Sequence, residues 1–209
     1  MNQFTKCVTL CGMSTTDLSA FIRNINSKVP LSAENRERLL AAFQIREIKR
    51  RQLLIEPGVI ARYRIYVLKG AFRSYVIDEK GHDHTIQFAI EDWWISDYNS
   101  YIHQVPATQF VEALEQSTIL QIDHQAEEEL KTANYELATL FRLMAERSAA
   151  YLARRIVSNL TQGAEARYHE FAAKYPAVVR RLPQYALASY LNMTREFLSK
   201  IRNDKVRKK

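Results

Sequence analysis

The apolar positions change their spacing twice along the chain. Leu18, Phe21, Ile22 and Ile25 follow the i, i+3, i+4, i+7 order of one buried helical stripe, and Thr15 or Thr16 stands where such a helix is capped. Pro30 ends that segment, and Ser32 opens a second short helix through Leu39, Leu40 and Phe43. From about residue 44 the period shortens. Arg62-Tyr63-Arg64-Ile65-Tyr66-Val67 alternates as a strand does, Gly70 interrupts, and Ala71-Phe72-Arg73-Ser74-Tyr75-Val76-Ile77 resumes with β-branched and aromatic residues. Asp78-Glu79-Lys80-Gly81 is a turn, its glycine placed where a positive φ costs little, and Thr85-Ile86-Gln87-Phe88-Ala89-Ile90 is the next strand. Further short strands are predicted at Gln109–Ala113 and Thr118–Ile122. Short strands joined by tight turns, without helices between them, predict an antiparallel barrel or sandwich and exclude a parallel α/β sheet.

A second change comes at about Gln125, where the pattern becomes helical and stays so to about Asn159. Leu130, Leu137, Met144 and Tyr151 recur every seven residues, with Ala126, Ala133 and Leu140 at a second seam position. A heptad sustained in this way predicts a helix that pairs with its own symmetry mate. The competing reading is a long helix lying on the barrel, and Arg147, which interrupts the second seam, speaks for it. Thr161-Gln162-Gly163 is a hinge. Beyond it, Tyr168, Phe171, Ala172 and Tyr175 share one face of a helix that stops at Pro176. Pro183 then suits the first turn of a helix, with Ala186, Leu187, Tyr190 and Leu191 turned inward. Asn192 tolerates the left-handed conformation of a sharp turn, and Thr194 caps a second helix with Phe197, Leu198 and Ile201 inward and Arg195, Glu196, Ser199 and Lys200 outward. Two short helices in this order predict a helix-turn-helix, whose second helix enters the major groove. There Arg and Lys can donate to guanine and Glu can accept from the cytosine amino group.

Charge sharpens that reading. Of 209 residues, 47% are hydrophobic and 25% charged, the balance of an ordinary folded protein. Residues 161–209 carry 11 basic and 4 acidic side chains and so hold the whole formal net charge of +7. An excess confined to one end and set on a periodic apolar framework favours a polyanion-binding module over a solubilising tail. No apolar run reaches the roughly 20 residues of a membrane helix, and the first residues lack a signal-peptide pattern, so a cytoplasmic protein that does not engage membranes is expected. Cys7 and Cys11 are too few for a disulfide framework or a four-thiolate cluster.

At these residues the sequence resembles the Crp/Fnr-family transcription regulators. Tyr66-Val67-Leu68-Lys69-Gly70 followed by Asp78-Glu79-Lys80-Gly81 is similar to that family's barrel signature, Glu56-Pro57-Gly58 to its first barrel turn, and Thr194-Arg195-Glu196 with Lys200 to its recognition helix. The resemblance implies an α+β fold in three parts. Residues 1–124 would form an antiparallel double-stranded β-helix or jelly-roll sensor barrel with N-terminal helices, of the cyclic-nucleotide-binding type. Residues 125–160 would form the dimerisation helix, and 161–209 a small all-α helix-turn-helix domain. It further implies a bacterial, homodimeric regulator, partnered by double-stranded DNA, by RNA polymerase and by an effector small molecule whose identity the sequence leaves open. Arg195, Glu196 and Lys200 would read bases, within a DNA-binding set of Gln184, Tyr185, Thr194, Arg195, Glu196, Ser199, Lys200 and Arg202.

Two departures from the family pattern shape the expectation. Where cyclic-nucleotide binders carry Gly-Glu and Arg-Ser pairs, this chain has Trp93-Trp94-Ile95-Ser96-Asp97 and Pro106-Ala107-Thr108, with Asp97 standing for the Glu and Thr108 for the Ser. No Arg or Lys lies between Lys80 and Lys131. A buried phosphate without a cation is costly, so cyclic AMP is not expected to bind in the usual way. An effector pocket, if used, is expected around Arg73, Asp97 and Thr108. The second departure is the end of the chain, where residues 202–209 are too few for a β-hairpin wing and are expected to be a frayed basic extension on phosphates.

No cofactor, metal site or catalytic assembly is expected. His82-Asp83-His84 on a strand admits a cupin-like metalloenzyme as an alternative, yet a solvated turn explains it better, since the carboxylate and distant histidine of such a site are missing. A small-molecule module acting through protein partners is the other alternative. Trp93-Trp94 is expected to pack, and His103, His124 and His169 stand without a nucleophile motif.

Overall fold

Ser32 ends the first connection by accepting the Asn35 backbone N–H on its hydroxyl at 3.3 Å, and so separates α1 (Thr15–Asn26) from α2 (Ala33–Ala42). This computed structural model describes residues 15–207; Cys7, Cys11, Lys208 and Lys209 lie outside the described residues. Eight strands follow: β1 (Phe43–Ile48), β2 (Leu53–Ile55), β3 (Tyr63–Lys69), β4 (Phe72–Ile77), β5 (Asp83–Ala89), β6 (Trp94–Ile95), β7 (Phe110–Ala113) and β8 (Ser117–Asp123), with α3 (Tyr98–His103) between β6 and β7. They form two antiparallel four-stranded sheets, ordered β1-β8-β3-β6 and β2-β7-β4-β5. The result is a jelly-roll sandwich with open edges rather than a closed barrel. The strands missed by the sequence pattern, β1, β2 and β6, are the short ones or the one that carries the polar Gln44, Arg46 and Glu47.

Apolar side chains sort into three layers. Ile65, Val67, Phe72, Ile95, Val111 and Ile119 fill the space between the sheets. Phe21, Ile25, Phe43, Tyr66 and Leu120 bind the N-terminal helices to the outer face of the first sheet, with Trp94 packed edge-on against Tyr66 and Phe21. A third layer joins Ala71, Phe88 and Leu114 of the jelly roll to the C-terminal helices. That is why Phe72, Arg73 and Ser74 in β4 are all buried: both faces of the strand are covered.

The helical region differs from the sequence expectation. Instead of one helix from Gln125, the chain forms α4 (His124–Ala133) and α5 (Tyr135–Thr161), broken at Asn134. The Asn134 side chain accepts the backbone N–H groups of Glu136 and Leu137 at 2.8 and 3.4 Å, and an asparagine that satisfies two orphan donors starts a helix afresh. After α6 (Ala164–Lys174), Pro176 does not only stop a helix but opens another, α7 (Pro176–Arg181), by occupying its first turn. Two helices close the chain, α8 (Gln184–Tyr190) and α9 (Arg195–Arg207). Residues 202–207 continue α9 and are therefore not a frayed extension, and no wing hairpin occurs among the described residues.

Candidate nucleic-acid interface

Between α8 and α9 the chain turns through Asn192 at φ 53°, with Met193 N–H donating to Ala188 O at 3.0 Å and Asn192 N–H to Ser189 O at 3.1 Å. Thr194 caps α9 by accepting the Phe197 N–H at 3.2 Å. The Arg167 guanidinium reaches across from α6 to donate to Leu191 O at 3.0 and 3.1 Å, which pins the turn from behind. Ala186, Leu187, Tyr190, Leu191, Leu198 and Ile201 are buried. Phe197, expected inward, is instead 40% exposed. On the opposite face Gln184, Thr194, Arg195, Glu196 and Lys200 are exposed, and Tyr185, Ser199 and Arg202 half-buried. The Glu196 carboxyl is held below the usual carboxylate range by its own backbone N–H and the Thr194 hydroxyl, so it stays an anionic acceptor. The arrangement offers donors and an acceptor together at the start of one helix, which is the chemistry that reads base edges in a major groove.

The heptad residues face inward on their own chain. Leu137 and Met144 are buried with Phe21 and Phe43, Leu130 packs on the same cluster, and the Tyr151 hydroxyl meets that of Tyr190. For Leu137 and Met144 the period reports burial on their own chain, the competing reading above, whereas Leu130 and Tyr151 are half-buried. A different stripe of α5 lies open. Ala145 and Ala149 are exposed, and Leu152, Ile156 and Leu160 are 41, 59 and 80% exposed, at spacings of three and four.

The three residues expected around an effector divide into two places. Asp97, buried, caps α3 by accepting the Ser100 N–H at 3.2 Å and also accepts the backbone N–H groups of Thr108 and Gln109 at 2.8 and 3.1 Å. Arg73 instead pairs with Asp83 at 2.7 Å and Glu112 at 3.1 Å. Its guanidinium lies 4.0 Å from the centroid of Tyr75 and 4.9 Å from that of Tyr185, in the cleft between the β4–β5 hairpin and the helix-turn-helix.

Two polar joints escaped the sequence reading because their partners are far apart along the chain. In the first, Glu127 of α4, fully buried, takes Arg64 of β3 at 2.9 Å, Lys131 at 3.0 Å and the Tyr101 hydroxyl at 2.9 Å. Burial and the neighbouring Glu127 charge push the Tyr101 hydroxyl up, so it remains a neutral donor. In the second, Arg181 of α7 pairs with Glu91 at 2.6 Å and with Glu115. Ser189 of α8 accepts the Thr85 N–H at 2.8 Å and donates to Asp83 O at 2.8 Å, while Arg155 of α5 donates to Thr85 O at 3.0 Å and to Ile86 O. These contacts line the free edge of β5.

His82 and His84 project from the hairpin into solvent beside Asp78, at 3.5 and 2.9 Å, and not into the jelly roll. Among the described residues no group of three or more His, Cys, Asp or Glu side chains is placed to hold a metal. No helix among the described residues is long and apolar enough to cross a membrane.

No protein-family model matches the chain, and no curated protein matches it. Solved structures do. The c-di-GMP responsive global regulator CLP of Xanthomonas campestris is similar over 85% of this chain and 93% of its own, at 14% identity and TM-score 0.62. FixK2 of Bradyrhizobium japonicum is similar over 78% of this chain and 83% of its own, at 15% identity and TM-score 0.64. The Thermus thermophilus catabolite activator protein is similar over 88% of this chain and 87% of its own, at 18% identity and TM-score 0.53. Over most of its length the chain has the fold of these solved structures, that of the Crp/Fnr type.

Proposed function

We propose that this protein is a homodimeric transcription regulator that reads a specific DNA sequence with the exposed start of α9. The observation that carries the reading is the solvent-facing set Thr194, Arg195, Glu196 and Lys200 on a helix whose other face is buried, in the segment that holds the whole net charge of the chain. The bundle of cations around it supplies the sequence-independent part of affinity, and Arg195, Glu196 and Lys200 supply the choice of base. Two copies paired along Ala145, Ala149, Leu152 and Ile156 would present two such helices. A pseudo-palindrome with half-sites about 34 Å apart is then the expected operator. Contact with RNA polymerase and control by an effector belong to the same proposal.

Cyclic AMP is not the expected effector. The Asp97 carboxylate already occupies the backbone N–H groups of Ser100, Thr108 and Gln109, and Arg73 is engaged with two carboxylates on the other side of the sheet. A phosphate there would meet a buried anion of like charge, which is unfavourable in a low dielectric.

The test combines sedimentation with retardation of genomic fragments at low salt. A dimer that selects a subset of fragments, with affinity falling steeply as salt rises, is expected. A monomer that retards nothing overturns the proposal.

A further inference from the structure

Arg195, the foremost base reader of the proposed function, does not stand alone in the DNA-free protein. Its guanidinium carbon lies 5.4 Å from the ring centroid of Tyr185, while that of Arg73 lies 4.9 Å from the same ring. Tyr185 is the second residue of α8, half-buried; Arg73 is in β4 with its side chain 7% exposed. One aromatic ring therefore joins a side chain enclosed by the jelly roll to one that faces solvent on the recognition helix.

Arg73, the buried end of this chain of contacts, is restrained from behind. Arg73 is held by Asp83 at 2.7 Å and by Glu112 at 3.1 Å, its cross-strand neighbour on β7, and lies over Tyr75, which stacks on Phe110 at 5.0 Å. The Arg73, Asp83 and Glu112 group carries one more negative than positive charge, so Arg73 can face the Tyr185 ring without the group repelling the Arg195 cation beyond it. Arg195 and Tyr185 border a cleft of about 720 Å³ that leaves the Arg195 guanidinium room to turn. An arginine on an open helix face loses rotamer freedom when it pairs bidentately with a base, and a flat aromatic support that fixes the guanidinium plane beforehand reduces that loss.

We propose that Tyr185 is a positioning residue that orients Arg195 for base reading, and that the jelly roll sets Tyr185 through Arg73. The sensor half of the protein would then tune base discrimination through a side chain that never touches DNA. The inference rests on the reading of α8–α9 as the DNA-binding module.

The experiment uses the full chain. Duplexes enriched by the protein from a random-sequence library serve as the probe, together with versions changed one base at a time, and an unselected duplex reports non-specific binding. Arg195→Ala is expected to lose a preference of roughly tenfold or more at one base position. Tyr185→Leu and Arg73→Lys are each expected to weaken that same preference about two- to fivefold, the lysine keeping the charge opposite Asp83 and Glu112 but not the flat stack. Arg73→Lys leaves binding of the unselected duplex as it is, which also shows that the variant is folded. Tyr185→Phe, which retains the ring, is expected to keep most of the preference that Tyr185→Leu loses. In an Arg195→Ala background neither Tyr185→Leu nor Arg73→Lys has a further effect at that position. If Tyr185→Leu or Arg73→Lys leaves the preference intact, or acts equally without Arg195, the positioning role is wrong while DNA reading stands. If Arg195→Ala alters no base preference, both fail together.

Discussion

Single residues carry constraints here that their neighbours cannot relieve. Gly70 links β3 to β4 at φ +119°, and a side chain there would run into Ser117. Gly70→Ala is expected to cost about 1–3 kcal/mol, read as a lower midpoint in denaturant with an unchanged slope. Glu127 faces two cations, Arg64 and Lys131, at the joint of β3 and α4. Glu127→Ala would leave Arg64 charged, enclosed and unpaired, at a cost of about 3–5 kcal/mol; Glu127→Gln should lose less, since Tyr101 keeps an acceptor, and thermal unfolding of the two variants separates these outcomes. The sequence showed Gly70 plainly, because a glycine between two alternating runs has a backbone reason. It could not show Glu127, since nothing in a helical glutamate announces its distant strand partner, Arg64.

At the scale of elements, the heptad in α5 illustrates what a periodic pattern does and does not specify. Leu137 and Met144 recur at helical spacing because one face of the helix is buried, and burial on the jelly roll produces the same period as burial on a second helix. Geometry separates the two: the open stripe is displaced around the helix to Leu152 and Ile156. Ile156→Lys is accordingly expected to shift the protein toward monomer in sedimentation while leaving thermal stability of the monomer within about 0.5 kcal/mol; Met144→Lys should instead unfold the N-terminal layer. The helix-turn-helix was legible because Asn192 and Thr194 each bring their own local chemistry, a left-handed turn and a cap. The break at Asn134 used the same chemistry and was hidden by the apolar residues that run past it on both sides.

The whole molecule is tied more tightly than its three-part sequence suggests. Arg181, Ser189 and Arg155 hold the C-terminal helices to the jelly roll, and Phe88 and Leu114 share a core with Leu187 and Tyr190. Burial alone would raise the Glu91 carboxyl, but Arg181 and the Gly70 N–H outweigh it and hold the group below its ordinary range. A carboxyl lowered in the folded state stabilises the contact above its unfolded value of about 4.3 and loses that contribution as pH falls further. Acidification through about pH 4 should therefore loosen the joint, and Arg181→Ala should abolish that particular pH dependence, as followed by hydrogen exchange of α7 and α8. Charge and periodicity along the sequence marked the C-terminal module, but contacts such as Asp83 with Ser189 join segments more than one hundred residues apart and leave no local trace. The same contacts have a consequence for the protein when it is cut or opened. β5 is an outermost strand, and its Thr85 and Ile86 backbone groups are satisfied by Ser189 and Arg155 rather than by another strand. A chain shortened before α6 would keep Arg155 but lose Ser189 and the helical cover of Phe88, and the Thr85 N–H left open on this edge would be ready to pair with the same edge of a neighbour. In the intact protein the C-terminal helices thus double as the guard that keeps the jelly roll from polymerising.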